Sequence, residues 1–393
     1  MLADANLSAA TPAPPSTKPA APKPPRDQRL DFFRGLGMLI IFLAHAPGNP
    51  WNDWIPARFG FSSATELFVF CSGLASAFAF GGIFVKRGWF LGTARIAYRM
   101  WQVYWAHVCL FVALAALAVV VQRLGWGNAY YEEHIDPIAK DPATAILGLI
   151  TLRWLPGYLD ILPMYLVILG LIPVMMALRR VHSALPFALS LGLYLAVWLL
   201  GINLTGNPWN GFGWFFNPFG WQLVFFAGFA IGMKWLIPPQ YGQKPLLILC
   251  GAFVLAVIPI SFWAFQNAFP ALARLHDLLL FGNEKTDMHI LRLVHFLAVA
   301  YLVLSLVAAL KPRLDAGIGR HIVKVGQQSL ASFLLSLVFA RLAGVALDMY
   351  ERAPLPTALI NLAGLLLIVA GAYGISWFKS APWAQGHRKT AID

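Results

Sequence analysis

Charge is scarce in this 393-residue chain: 12% of its residues are Asp, Glu, Lys or Arg, against 59% that are apolar. So small a charged fraction excludes a soluble domain with a mixed-charge surface, and the chain needs lipid as its solvent. Cysteine is scarce too. Cys71, Cys109 and Cys250 each fall inside an apolar run, outside any C-x-x-C or Cys/His pattern, which argues against a disulfide framework and against a zinc site. Residues 1–25, rich in Pro and Ala, lack the continuous apolar stretch of a signal peptide and read as a disordered cytoplasmic tail. No periodic repeat is evident along the chain.

What the sequence does hold is a series of long apolar runs. Ten of them, roughly 30–48, 63–84, 99–121, 160–178, 184–201, 220–236, 245–265, 290–310, 328–348 and 357–377, suffice to cross about 30 Å of hydrocarbon at 1.5 Å per residue. The expected fold is an all-α integral membrane protein of about ten transmembrane helices. Its transmembrane domain would span residues 26–378, with a cytoplasmic tail at 379–393. Segment 143–157 is apolar but short, and Pro156 and Gly157 break it, so it reads as a re-entrant or interfacial helix. Many of the 15 Trp and 29 Phe stand at the edges of the runs, as an interfacial aromatic belt does.

The net charge of +12 is spread over many short loops rather than gathered in a patch, which disfavours nucleic acid as a partner. Topology accounts for it. With both termini in the cytoplasm, Lys and Arg on the inner side, among them Lys86, Arg87, Arg95, Arg99, Arg179, Arg180, Arg320 and Lys324, outnumber those on the outer side. Acidic residues such as Asp53, Glu132, Glu133, Asp277 and Glu351 fall in the outer loops, which are also the longer ones.

An ionisable side chain within a span is costly unless it faces a polar interior, so each is a functional candidate. The first span carries two. Arg34 and His45 are 11 residues apart, three helical turns plus about 20°, which puts both on one face about 16 Å apart. Arg34 would lie near the cytoplasm and His45 near the outer surface. Glu66, one turn into the second span, would lie at the depth of His45 and could orient its imidazole or raise its basicity; a buried ion pair that fixes helix packing is the alternative. Ser72 and Gly73 read as close-packing residues.

Arg95 and Arg99 are i,i+4 neighbours at a helix start on the cytoplasmic side, placed either to hold phosphates of a nucleotide-like ligand or as a solvated basic loop. His107 reads as a core histidine rather than a catalytic one. Further candidates for the outer side are Asp160, Asn217, Arg292 and His295, the last two sharing a face at i,i+3. Glu284, Lys285, Thr286 and Asp287 form either part of that site or a solvated cap. Trp51, Trp54, Trp209 and Trp214 suit sugar stacking or interfacial anchoring.

The Arg34-to-His45 spacing, the following "ELFVFCSG" and the basic loop after it resemble the membrane-bound acyltransferase type 3 superfamily. More closely, "RLDFFRGLGMLIIFLAHAPGNPW", "DILPMYLV", "WFFNPFGWQLVFFAG" and "EKTDMHILRLVHFLAVAYLV" are similar to the OpgC family, whose members succinylate osmoregulated periplasmic glucans. That resemblance covers nearly the whole chain after residue 26. It implies His45 as the catalytic histidine, Arg34 as its paired cation and Glu66 as the acidic residue opening the second helix. Two departures stand out: three residues rather than two separate Arg95 from Arg99, and Glu66 occupies a position where Asp is often found.

The activity that the resemblance implies is transfer of a succinyl or other short acyl group from cytoplasmic acyl-CoA, as donor substrate, to hydroxyls of a periplasmic glucan. His45 would serve as base, with Arg34, Arg95 and Arg99 toward the donor and Asp160, Asn217, Arg292, His295 and Asp287 toward the acceptor and acyl group. No permanently bound cofactor and no metal is implied, and the location would be the bacterial inner membrane. A proton-coupled transporter of a small anion or glycan is the competing class, since intramembrane His, Glu and Arg also build proton relays.

Overall fold

The computed structural model describes residues 28–127, 129–282 and 284–383. The expected tail at 1–25, and the part of the 379–393 tail beyond residue 383, lie outside the described residues. All ten apolar runs form helices. These are α1 (Gln28–His45), α2 (Ala64–Ser76, continued through a π-helical turn at Ala77–Gly81 to Arg87), α3 (Trp89–Arg123), α5 (Ile161–Val181), α6 (Leu185–Leu200), α7 (Pro218–Gly232), α8 (Lys244–Ser261), α10 (Ile290–Leu310), α12 (Ser329–Met349) and α13 (Pro354–Lys379). Among the described residues there is no β-strand, only an isolated bridge between Thr205 and Gly213.

Seven of these helices, α2, α3, α5, α8, α10, α12 and α13, are long and apolar enough to cross a membrane. The other three differ for identifiable reasons. Helix α1 carries Arg29, Asp31 and Arg34 within 18 residues, whereas α6 and α7 are apolar but only 16 and 15 residues long, about 22–24 Å each.

Among the described residues, three further helices of nine residues or more lie outside the ten runs, beside several shorter ones. The short apolar segment forms α4 (Pro142–Ile150) and ends before the expected break, because Leu152 and then Tyr158 turn the chain with positive φ of 60° and 68°. Helices α9 (Pro270–Leu279) and α11 (Gly317–Gln327) occur where loops were expected. Their apolar residues alternate with Arg, His and Lys, so no continuous run announces them.

Two helix pairs meet backbone to backbone. A Cβ on Gly35 of α1 would stand 2.0 Å from the carbonyl oxygen of Ile322 in α11, and one on Gly326 would stand 1.7 Å from the carbonyl oxygen of Asp31. In the same way, Cβ atoms on Gly73 of α2 and Gly228 of α7 would stand 1.9 Å from Phe225 O and 2.3 Å from Phe70 O. Where lipid removes the hydrophobic drive for helices to associate, such glycine contacts supply the close packing that holds them, as expected for Gly73. Around them Met38, Phe42, Ile168, Leu169, Trp221, Phe225 and Phe229 are fully buried.

Because successive long helices run in opposite senses, one end of the bundle collects the C-terminal end of α1 and the N-terminal ends of α2, α5, α7 and α10. The first-turn positions there are polar by necessity, since four backbone N–H groups at each start lack helical partners. Ser63 and Glu66 make a reciprocal capping box at α2, Asn217 accepts from Phe219 N at α7, and His289 accepts from Leu291 N at α10.

Candidate functional site

At that end lies a cavity of about 770 Å³, with His45, Arg58, Tyr158, Asp160, Lys285 and Arg292 in its walls. A smaller hollow of about 400 Å³ adjoins it, sharing Ala44, Asn52 and Tyr158. His45 is the last residue of α1. Its Nδ1 lies 2.8 Å from the carbonyl oxygen of Ile41. A carbonyl only accepts, so Nδ1 carries the proton, and Nε2, without a hydrogen-bond partner among the described residues, is left with the lone pair. The imidazole meets the Tyr158 ring edge-on at 5.0 Å, and the guanidinium of Arg341 covers that ring at 4.6 Å. Arg341 is in turn paired with Glu133 at 3.4 Å. An aromatic wall, itself braced by an ion pair, therefore sets the ring of His45.

The turn after His45 is pinned to α13. Asn49 Nδ2 donates to Asn361 Oδ1 at 2.8 Å and Asn361 Nδ2 donates back to Asn49 Oδ1 at 2.9 Å, both residues being buried. At the other end of α1, Arg34 donates to the hydroxyl of Ser329 at the head of α12. Arg34 and His45 thus do share one helix, but the cavity ends near Ile40 and Phe333 and Arg34 is not part of its wall.

The partners of Glu66 are Arg292 and Ser63, the buried ion pair that was the alternative to its support of the His45 imidazole. One carboxylate oxygen lies 2.6 Å from Arg292 Nη2, and the other accepts from the Ser63 amide at 2.8 Å and the Ser63 hydroxyl at 2.7 Å. With both oxygens engaged and no bond to His45, Glu66 is the fully buried half of an ion pair. Arg292 also binds Glu284 at 2.7 Å. Two carboxylates fill its fork, so its place in the cavity wall is that of a clamp between α2, α10 and the 284–289 turn.

The remaining candidates divide. Asp160 precedes α5 without capping it and lines the cavity; burial above all lifts its carboxyl to about 7. Asn217 and Asp287 hold each other instead, Asn217 Nδ2 donating to Asp287 Oδ1 at 2.9 Å, which ties the 285–287 turn to α7 behind the cavity. His295 shares a 2.8 Å hydrogen bond with Ser62, a wall residue, without lining the cavity itself.

Trp51, Trp54, Trp209 and Trp214 do not line the main cavity; Trp214 is buried and donates to Thr205 O, and Trp209 donates to Asp141. Its aromatic lining is Phe61, Tyr158, Phe212, Phe215, Phe216 and Phe333. His107 is wholly buried on α3 with neither ring nitrogen hydrogen-bonded, away from the cavity.

Arg95 and Arg99 share a face of α3 at the end of the bundle opposite His45. Arg95 is exposed and lies over Phe80 and Tyr98 at 6.0 and 5.4 Å, and Arg99 donates to Gln102 at 3.2 Å. Neither reaches the cavity.

Sequence reasoning did not single out Tyr158, Glu133 or Arg341 for this site. Tyr158 stood in an expected loop and Arg341 in an expected span; the packing of α1 against α12 brings Arg341 toward His45, and the turn before α5 brings Tyr158.

A family model described as OpgC protein matches residues 26–380. No curated protein and no solved structure matches the chain.

Proposed function

The chain belongs to the OpgC family, and from that premise we propose that this multi-pass membrane protein is an O-acyltransferase. It moves a succinyl group from succinyl-CoA to hydroxyls of a periplasmic glucan across the bacterial inner membrane. The observation that carries the reading is the tautomer of His45: a proton fixed on Nδ1 by Ile41 O leaves Nε2 as a base at the wall of a cavity large enough for a sugar unit.

The glucan enters at the His45 end, where Tyr158, Phe212, Phe215 and Phe216 offer ring faces and Asn52 and Asn207 offer amides. His45 Nε2 takes the proton of a sugar hydroxyl as its oxygen attacks the thioester carbonyl carbon. The C–O bond forms, the C–S bond breaks, and the imidazolium returns its proton to the coenzyme A thiolate, so charge and atoms balance without metal or oxidant. Tyr158, braced by Arg341, keeps the ring aligned for both proton movements.

The donor approaches from the opposite end. There Arg95 and Arg99 supply cations for its phosphates, and Arg34, about 16 Å from His45 along α1, stands by the path of the pantetheine arm. An extended arm of on the order of 15–20 Å bridges that distance. Reaching the cavity requires a passage past Ile40 and Phe333 to open when the donor binds.

Purified protein incubated with succinyl-CoA and glucan tests this directly. Release of free thiol dependent on the glucan, with a succinyl mass added to the glucan, is expected. Uptake of glucan or anion into proteoliposomes without thiol release would instead mark a transporter.

A further inference from the structure

Among the described residues, the three arginines in or bracing the cavity wall are each matched by a carboxylate within 4 Å. Arg292 holds Glu66 and Glu284, Arg341 holds Glu133, and Arg58 lies 3.8 Å from Asp53. Lys285 differs: among the described residues no carboxylate lies within 4 Å of its Nζ and no hydrogen bond satisfies it, although it lines the cavity. Its ammonium is instead walled by two rings, with Nζ 5.6 Å from the centre of Phe215 and 5.9 Å from that of Phe216. Its backbone is not free to move, because Lys285 O accepts from Trp221 Nε1 at 2.9 Å and the next residue, Thr286, accepts from Asn217 N at 3.1 Å.

From this arrangement, and resting on the transferase reading above, we infer that Lys285 binds the free carboxylate of a dicarboxylic acyl group, and so selects succinyl over uncharged acyl chains. Glu66 and Glu284 together balance Arg292 and Lys285 in charge, which makes the empty cluster tolerable. Contact is another matter. Arg292 already directs Nε, Nη1 and Nη2 at two carboxylates that neutralise it, whereas all three ammonium protons of Lys285 await an acceptor. The rings of Phe215 and Phe216 attract the cation only weakly and exclude water from one side, so a carboxylate arriving there forms a charge-assisted bond in a partly dry site. Burial, and then the charge of Arg292, already holds Lys285 below the ordinary ammonium range, a cost that an anionic ligand relieves.

The test compares two donors of equal chain length. Butyryl-CoA has a methyl group where succinyl-CoA has its carboxylate. In the wild-type protein, succinyl transfer to glucan should exceed butyryl transfer. Lys285→Met should lower kcat/KM for succinyl-CoA about 10- to 100-fold, the worth of one charged hydrogen bond, while butyryl transfer stays within about twofold; Lys285→Arg should retain part of the preference.

A Lys285→Met protein with an unchanged succinyl-to-butyryl ratio overturns the assignment of Lys285 and leaves the transferase standing. A wild-type protein that transfers neither group overturns the transferase reading and this one with it. If Lys285→Met is not monodisperse, Lys285→Gln carries the same comparison.

Discussion

Arg292 holds Glu66 across the starts of α2 and α10, with Nη2 2.6 Å and Nε 2.9 Å from the same carboxylate oxygen. The bond ties Glu66 into the framework, because the second oxygen closes the cap of α2 through Ser63. Removing one partner of a buried pair leaves the other charge uncompensated, at a cost of about 3–5 kcal/mol. Glu66→Ala should therefore lower the thermal midpoint of the purified protein sharply. In Glu66→Gln, which keeps a hydrogen bond to Arg292, part of the midpoint should return and the pH profile of transfer should stay where it is in the wild type. A displaced pH profile would restore Glu66 as the partner of His45.

His45 itself makes one hydrogen bond, to the backbone of its own helix, so its side chain contributes little to holding the bundle together. His45→Ala should fold with a midpoint close to the wild type and lose transfer by about 10²–10⁴-fold, the usual worth of a general base. A His45→Ala protein that folds and transfers at the full rate removes the proposed mechanism.

Asp160 offers a pH signature. Its carboxyl is raised from the ordinary carboxylate value to about 7 by burial, so the folded protein resists ionising it. The stability linked to Asp160 is complete below the unfolded-state value near 4, then declines as pH rises and is lost through about 7. Asp160→Asn, which cannot ionise, should match the wild type in melting experiments near pH 4 and melt at a higher temperature by pH 8. Parallel curves for the two proteins over that range would show Asp160 to be solvated.

The fold was largely legible because its strongest signal is composition: each of the ten apolar runs is a helix, and the predicted antiparallel order put His45 and the start of α2 at one end. Helix α11 was hidden, since "GIGRHIVKVGQ" is short and its apolar residues are interrupted along the chain by Arg, His and Lys that gather on the opposite face. The site was legible in its anchor and not in its pairing. A histidine and an arginine 11 residues apart on one helix can be read from spacing alone, whereas the bond between Glu66 and Arg292 joins positions 226 residues apart, and depth in the membrane does not say which of two nearby cations a carboxylate will choose. Polar residues at helix starts carry a second role that spacing does not show. Asn217, singled out for the substrate, and Glu66, singled out to support His45, each also cap a helix start, at α7 and α2.

The last prediction concerns how α1 is held at its two ends. Near His45 the lock is the reciprocal Asn49–Asn361 amide pair, and near Arg34 it is the backbone contact of Gly35 with Ile322. Asn361→Leu leaves the buried Asn49 amide with only Leu43 O and Trp51 N as partners, a penalty of about 1–3 kcal/mol, while replacing both amides with Leu removes the under-satisfied group and should recover part of the loss. Gly35→Ala has no such rescue, because the methyl group would meet a backbone oxygen at 2.0 Å and only separation of α1 from α11 relieves it. Thermal unfolding in detergent should rank Gly35→Ala as the most destabilised of these variants. Asn361→Leu, by loosening the turn that follows His45, should lower kcat more than it raises KM for the glucan. An Asn361→Leu protein with wild-type kcat would mean that the amide pair supports the bundle without positioning the histidine.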